Sequence, residues 1–97
     1  MRTLLCTILA LFSLAAVAQQ RTLSPLGESI QAAMQSDIRT AAEVARDRNR
    51  RPIETLEFLG LEDDMTVVEL MPGGGWYTKI LGQVLRDDGK LYLAVGA

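Results

Sequence analysis

The sequence predicts an α/β chain in which two helices precede one strand–helix–strand unit, with an incomplete sheet. Three observations carry this. Apolar residues recur at helical spacing between Ser29 and Arg48. A β-branched run, Met65 to Leu70, leads straight into Pro72-Gly73-Gly74-Gly75 and then a second helical pattern. A further strand-like run, Lys90 to Val95, follows the turn Arg86-Asp87-Asp88-Gly89. With 97 residues the chain makes at most one domain, because domains usually take roughly 100–200 residues.

Met1-Arg2-Thr3 is a short basic start, and Leu4 to Ala18 is an uncharged, mostly apolar run of 15 residues. The run falls short of the roughly 20 residues that span a bilayer. It ends in Ala16-Val17-Ala18, the small-x-small pattern of a signal-peptidase site. Residues 1–18 therefore read as an export signal cleaved after Ala18, in preference to an uncleaved anchor or a buried helix. This places the chain in the periplasm or outside the cell, with membrane contact only through the signal segment.

Residues 19–28 are polar, with Ser24-Pro25 and Gly27, and read as a linker. From Ser29 to Arg48, Ile30, Met34, Ile38, Ala41 or Ala42, and Ala45 follow in steps of three and four, which predicts one amphipathic helix. Pro52 ends it, since the residue before a proline avoids helical dihedrals, and suits the first position of the next helix. That helix runs to Leu59, stops at Gly60 as a left-handed cap, and lets Leu61 fold back. Met65 to Leu70 is the first strand, and its Thr-Val-Val centre suggests burial on both faces, as in a parallel sheet. Trp76 to Leu85 is helical, with Trp76, Ile80, Leu81, Val84 and Leu85 on one stripe.

Composition excludes several chemistries. Histidine is absent, and the one cysteine, Cys6, lies in the signal run. The mature chain thus has no ordinary zinc, haem or iron–sulfur ligands and no Ser-His-Asp or Cys-His site. A formal charge of −2 argues against nonspecific nucleic-acid binding. Charged residues at 23% and apolar residues at 48% are ordinary for a folded chain. A mature chain of about 80 residues buries only about 60–65% of its unfolded surface, so its core is marginal.

The informative stretch runs from Val67 to Trp76. Glu69, near the carboxyl end of a strand, precedes Gly73, Gly74, Gly75 and a helix start. Glycines let the backbone take positive φ and approach a ligand closely, and a helix start offers free N–H groups to an anion. Glu69 supplies a carboxylate for a cation or donor, so a ligand with both a carboxylate and an ammonium suits the pair. From spacing alone, a ligand seat and a plain tight turn stand level. The phosphate-binding loop pattern is absent, the dinucleotide fingerprint would need glycine at Thr78, and the kinase glycine loop lies between strands.

The segments MTVVELMPGGGWYTKIL (65–81), RNRRPIETLEFLGL (48–61) and RDDGKLYLA (86–94) resemble the class I S-adenosylmethionine-dependent methyltransferases. They look most like a bacterial branch of signal-bearing "predicted methyltransferases". The resemblance covers about Asp37 to Gly96, and its more specific parts, taken together, are Arg-x-Pro-x-Glu, Gly-Leu-x-x-x-Met-Thr-Val-Val-Glu and Pro-Gly-Gly-Gly-Trp-Tyr-Thr. It implies that residues 29–97 are the amino-terminal portion of a Rossmann-like methyltransferase domain, with S-adenosyl-L-methionine as cofactor and an unidentified methyl acceptor. It implies cofactor binding by Glu69, Gly73, Gly74 and Gly75, with no metal and no assigned catalytic residue. Met71 stands where the first motif glycine usually is, and the second strand ends in Ala94-Val95-Gly96-Ala97 without the ribose-binding acid. These departures, and a sheet of two candidate strands, predict that the 97-residue chain alone is inactive and binds the cofactor poorly. The rival reading is an exported, non-catalytic Rossmann-like module that has lost the cofactor. A nicotinamide-dependent oxidoreductase is disfavoured by the missing third glycine.

Among the remaining residues, Trp76 reads as core and Tyr77 as surface rather than as an aromatic wall. Arg46, Arg48, Arg50 and Arg51 read as a solvated face paired with nearby acids rather than an anion site. Met34 and Met65 read as core fillers.

Overall fold

The computed structural model describes residues 22–96, so the export segment and the start of the linker lie outside the described residues. Helix α1 spans Pro25–Met34. Ser24 starts it: its hydroxyl oxygen accepts the Gly27 N–H at 3.0 Å and its O–H reaches Glu57 at 2.6 Å. Proline fits the first helical position, where no N–H is needed. The helix thus begins four residues before the expected Ser29, and Pro25 to Glu28 belong to it rather than to a linker.

The single helix expected over 29–48 is two. After Met34 the chain turns through Ser36 to Arg39, and α2 spans Ala41–Arg50. The break has a local cause in a capping box. The Thr40 hydroxyl accepts the Glu43 N–H at 3.2 Å, while the Glu43 carboxylate accepts the Thr40 N–H at 2.8 Å. Two donors orphaned at a helix start are satisfied at once, which outweighs continuing the apolar stripe. Ile38, counted in that stripe, is left 57% exposed.

Arg51 is left-handed (φ 47°), which turns the chain before α3, Pro52–Phe58. Gly60 (φ 79°) ends this segment as expected, and the Leu61 N–H folds back to the Leu56 carbonyl at 3.1 Å. Strand β1 (Thr66–Leu70), α4 (Trp76–Val84) and β2 (Lys90–Ala94) complete the order. The two strands pair in parallel, Thr66 with Lys90 through Leu70 with Ala94. Gly89 sits at the start of β2, where a Cβ would meet the Asp63 and Met65 carbonyl oxygens at 2.7 Å. Only glycine lets this turn close on the entrance to β1.

The core lies on one side of the sheet. Ile30 and Ala33 of α1, Leu56 of α3, Leu61, and Trp76, Ile80, Leu81, Val84 and Leu85 of α4 and its end form one buried cluster. Val67 and Leu91 pack against it from the strands. Val68 and Tyr92, paired across the other face, are 57% and 54% exposed. The expected burial of β1 on both faces is therefore corrected: among the described residues no element packs on the second face, so the strand is half-buried only on alternate residues. Met34 packs against the core as expected, whereas Met65 is exposed rather than a filler.

Helix α2 contributes no buried residue. Polar contacts hold it instead. The Trp76 indole N–H donates to the Glu43 carbonyl at 2.8 Å, and Lys79 donates to the Glu43 carboxylate at 2.8 Å. The buried Arg39 guanidinium spans the turn before α2, donating to the Met34 carbonyl at 2.7 Å and to both carboxylate oxygens of Asp47. The Asp47 hydrogen bond keeps Arg39 above its ordinary pKa against the desolvation that burial imposes.

Breaking such a pair on one side leaves a buried charge uncompensated, at a cost of about 3–5 kcal/mol. Asp47→Ala is therefore expected to lower stability by about 3 kcal/mol in a urea titration. Exchanging both partners, Arg39→Met with Asp47→Leu, is expected to cost much less. Gly89→Ala is expected to cost about 1–3 kcal/mol, because two backbone oxygens must move to admit one methyl group.

Candidate functional site

The site is built where β1 ends. The Met71 N–H still donates to the Ala94 carbonyl at 2.8 Å, carrying the ladder one residue past the strand. Met71 then takes φ 50°, a conformation that costs a side-chain-bearing residue about 1–2 kcal/mol. Gly73 (φ 59°) and Gly75 (φ 85°) are left-handed too, and the Gly75 N–H closes on the Pro72 carbonyl at 3.0 Å. Gly75 is the residue on which α4 starts. A Cβ at Gly73 or Gly74 would meet nothing within 4 Å, so the backbone there borders open space rather than packed protein.

Glu69 is half-buried, and its Oε1 accepts the Thr78 hydroxyl at 2.6 Å. Thr78 lies on the first turn of α4, so one hydrogen bond ties the end of β1 to the helix that follows the turn. Oε2 of Glu69 makes no hydrogen bond among the described residues. Glu69 lines a hollow of about 670 Å³ together with Leu56, Met65, Val67, Met71, Pro72, Tyr77 and Leu81. That volume lies in the range of small-molecule sites, and the mostly apolar wall with few polar groups is their usual make-up.

Gly73 and Gly74 border a different hollow, of about 480 Å³, together with Trp76, Arg46 and the Glu43–Lys79 pair. The four expected site residues are thus divided. Glu69 faces the first hollow, Gly73 and Gly74 the second, and Gly75 shapes the turn between β1 and α4 without lining either. Pro72 and Arg50 are common to both. The end of β2, Ala94 to Gly96, is exposed and borders neither. Among the described residues no group of three or more His, Cys, Asp or Glu is placed to hold a metal ion. No helix there is long and apolar enough to cross a membrane.

Sequence reading missed Arg50, which it placed in a solvated, internally paired face. That face is only partly paired: Arg51 approaches Glu54 at 3.6 Å, while Arg50 instead lies over aromatic rings. Its guanidinium carbon is 4.6 Å from the Trp76 ring centroid and 6.0 Å from that of Tyr77. The two rings meet edge to face, with centroids 4.7 Å apart. Trp76 is buried as expected; Tyr77 is half-buried and lines the first hollow. The signal available in the sequence was that Arg50 opens the Arg-x-Pro-x-Glu motif.

The second hollow's wall depends on Glu43. The hydrogen bond from Lys79, and then the Thr40 N–H, pull its carboxyl from 4.5 to about 2. A folded-state pKa below the unfolded one stabilises the fold above the unfolded value, and that contribution is lost as pH falls toward the folded value. The urea midpoint is expected to drop between about pH 4.5 and pH 2, and Glu43→Gln is expected to flatten that slope. Compared with known proteins, the chain matches no family model, no curated protein and no solved structure.

Proposed function

We propose that the chain is a class I S-adenosylmethionine-dependent methyltransferase, or the amino-terminal part of one, with the turn from Glu69 to Trp76 seating the methionine end of the cofactor. The observation that carries this reading is Glu69, whose Oε2 makes no hydrogen bond among the described residues and which lines an open hollow at the end of a strand in a parallel pair. It is joined to the resemblance already described. The group fits by size: the hollow that Glu69 lines is large enough for it, and the Gly73 and Gly74 backbone, on the neighbouring hollow, is unobstructed.

When bound, S-adenosyl-L-methionine supplies an electrophilic methyl on a sulfonium. The chain's part is then to hold and align, which accounts for much of the rate of a direct displacement. Glu69 accepts from the ligand ammonium through Oε2 while Thr78 fixes Oε1. Export of the chain, through residues 1–18, is part of the same proposal.

A non-catalytic module that has lost the cofactor is the second reading. Met71, 78% exposed and left-handed at the place of a motif glycine, favours it, as does the missing acid after β2.

Titration of the full chain with S-adenosylhomocysteine, followed by amide NMR, separates the two. Shifts at Glu69 through Trp76 and at the residues lining the Glu69 hollow are expected, with a dissociation constant of about 1 mM, near −4 kcal/mol, and with no such response to NAD. Glu69→Gln is expected to weaken binding about tenfold, the size of one lost charge-assisted hydrogen bond. Unmoved turn amides would exclude the cofactor seat and leave the module.

A further inference from the structure

We infer that Arg50 is the carboxylate-binding residue of this site, receiving the α-carboxylate of a zwitterionic amino-acid ligand whose ammonium meets Glu69. The inference rests on the cofactor-seat reading and adds the residue that receives the ligand's carboxylate.

Arg50 is placed with care by the chain around it. It is the last residue of α2; the next residue is left-handed and then Pro52 starts α3. The Thr55 hydroxyl donates to the Arg50 carbonyl at 3.0 Å, so its backbone is held from α3 as well. The side chain is held by the Trp76 and Tyr77 rings. That attraction uses the cation's charge and leaves its N–H donors free. Arg39, Arg51, Arg86 and Lys79 each approach a carboxylate. Among the described residues the Arg50 guanidinium has no hydrogen bond and no ion pair, although it is positioned by two aromatic rings.

The hollow explains what such an arginine suits. Among the described residues Arg50 is the one cation, and Glu69 the one anion, that line it. A phosphate would gain from Arg50 and be repelled by Glu69. A lone cation would meet the reverse. An α-amino acid group satisfies both ends, and the planar guanidinium fork matches a carboxylate with two parallel hydrogen bonds. The apolar walls then take the less polar remainder of the ligand.

The experiment compares S-adenosylhomocysteine with 5′-methylthioadenosine, which lacks the amino-acid group, on the full chain and on Arg50→Gln and Arg50→Lys. The full chain is expected to bind the homocysteine compound about tenfold more tightly, a difference of 1.4 kcal/mol. Arg50→Gln is expected to remove that preference and leave 5′-methylthioadenosine unchanged, with Arg50→Lys restoring part of it. Equal losses for both compounds would mean that Arg50 only supports the rings, and would overturn the inference. So would an unchanged affinity for the homocysteine compound in Arg50→Gln. If the full chain binds 5′-methylthioadenosine as well as the homocysteine compound, the cofactor seat stands and the role of Arg50 falls. If it binds neither, the cofactor seat itself fails, and this inference with it.

Discussion

Trp76 is the residue through which the two halves of the molecule meet. Its ring is part of the core beneath the sheet, while its indole N–H donates to the Glu43 carbonyl on α2. Because α2 buries no side chain of its own, apolar packing does not fix its place. A few directed contacts do: the Trp76 N–H, the Lys79–Glu43 pair, and the Arg39–Asp47 pair that braces the turn before it. Directed contacts are weaker in sum than core burial but stricter in geometry. They set where the last residue of α2 lies, and that residue borders both hollows.

The site takes its form from a second constraint, the parallel pairing of β1 with β2. A parallel partner cannot be reached by a tight hairpin, so the chain must leave β1, pass through a helix and return. At the exit, three residues in left-handed conformations, Met71, Gly73 and Gly75, turn the backbone sharply enough for α4 to begin at Trp76. The Glu69–Thr78 hydrogen bond spans that bend. The hollow beside Glu69 stays open because the turn lies outside the core, whose side chains fill the space under α4. Strain at Met71 is tolerated because its N–H is tied to Ala94 and its side chain projects into open space.

Much of the architecture was legible in the chain itself. Local rules named the Pro52 start, the Gly60 cap, the strand–glycine–helix order and the buried stripe of α4, since each depends on residues adjacent in sequence or one helical turn apart. The division of the expected 29–48 helix was also written locally, in Thr40 and Glu43, but an apolar spacing that happens to bridge the break masks it. The open face of β1 was not legible. A strand of Thr, Val and Val reads the same whether one face or two are covered, because what covers it lies elsewhere.

The site divides along the same line. The sequence by itself determined the acid, the glycines and their order, since left-handed backbone and a helix start follow from residue type over a few positions. Only the tertiary structure decided that Glu69 and the Gly73–Gly74 backbone border different hollows, and that Arg50 lines both. The reason is sequence separation. Arg50 reaches Trp76 across 26 positions, and such a contact depends on how α2 is docked, which no local propensity or spacing encodes.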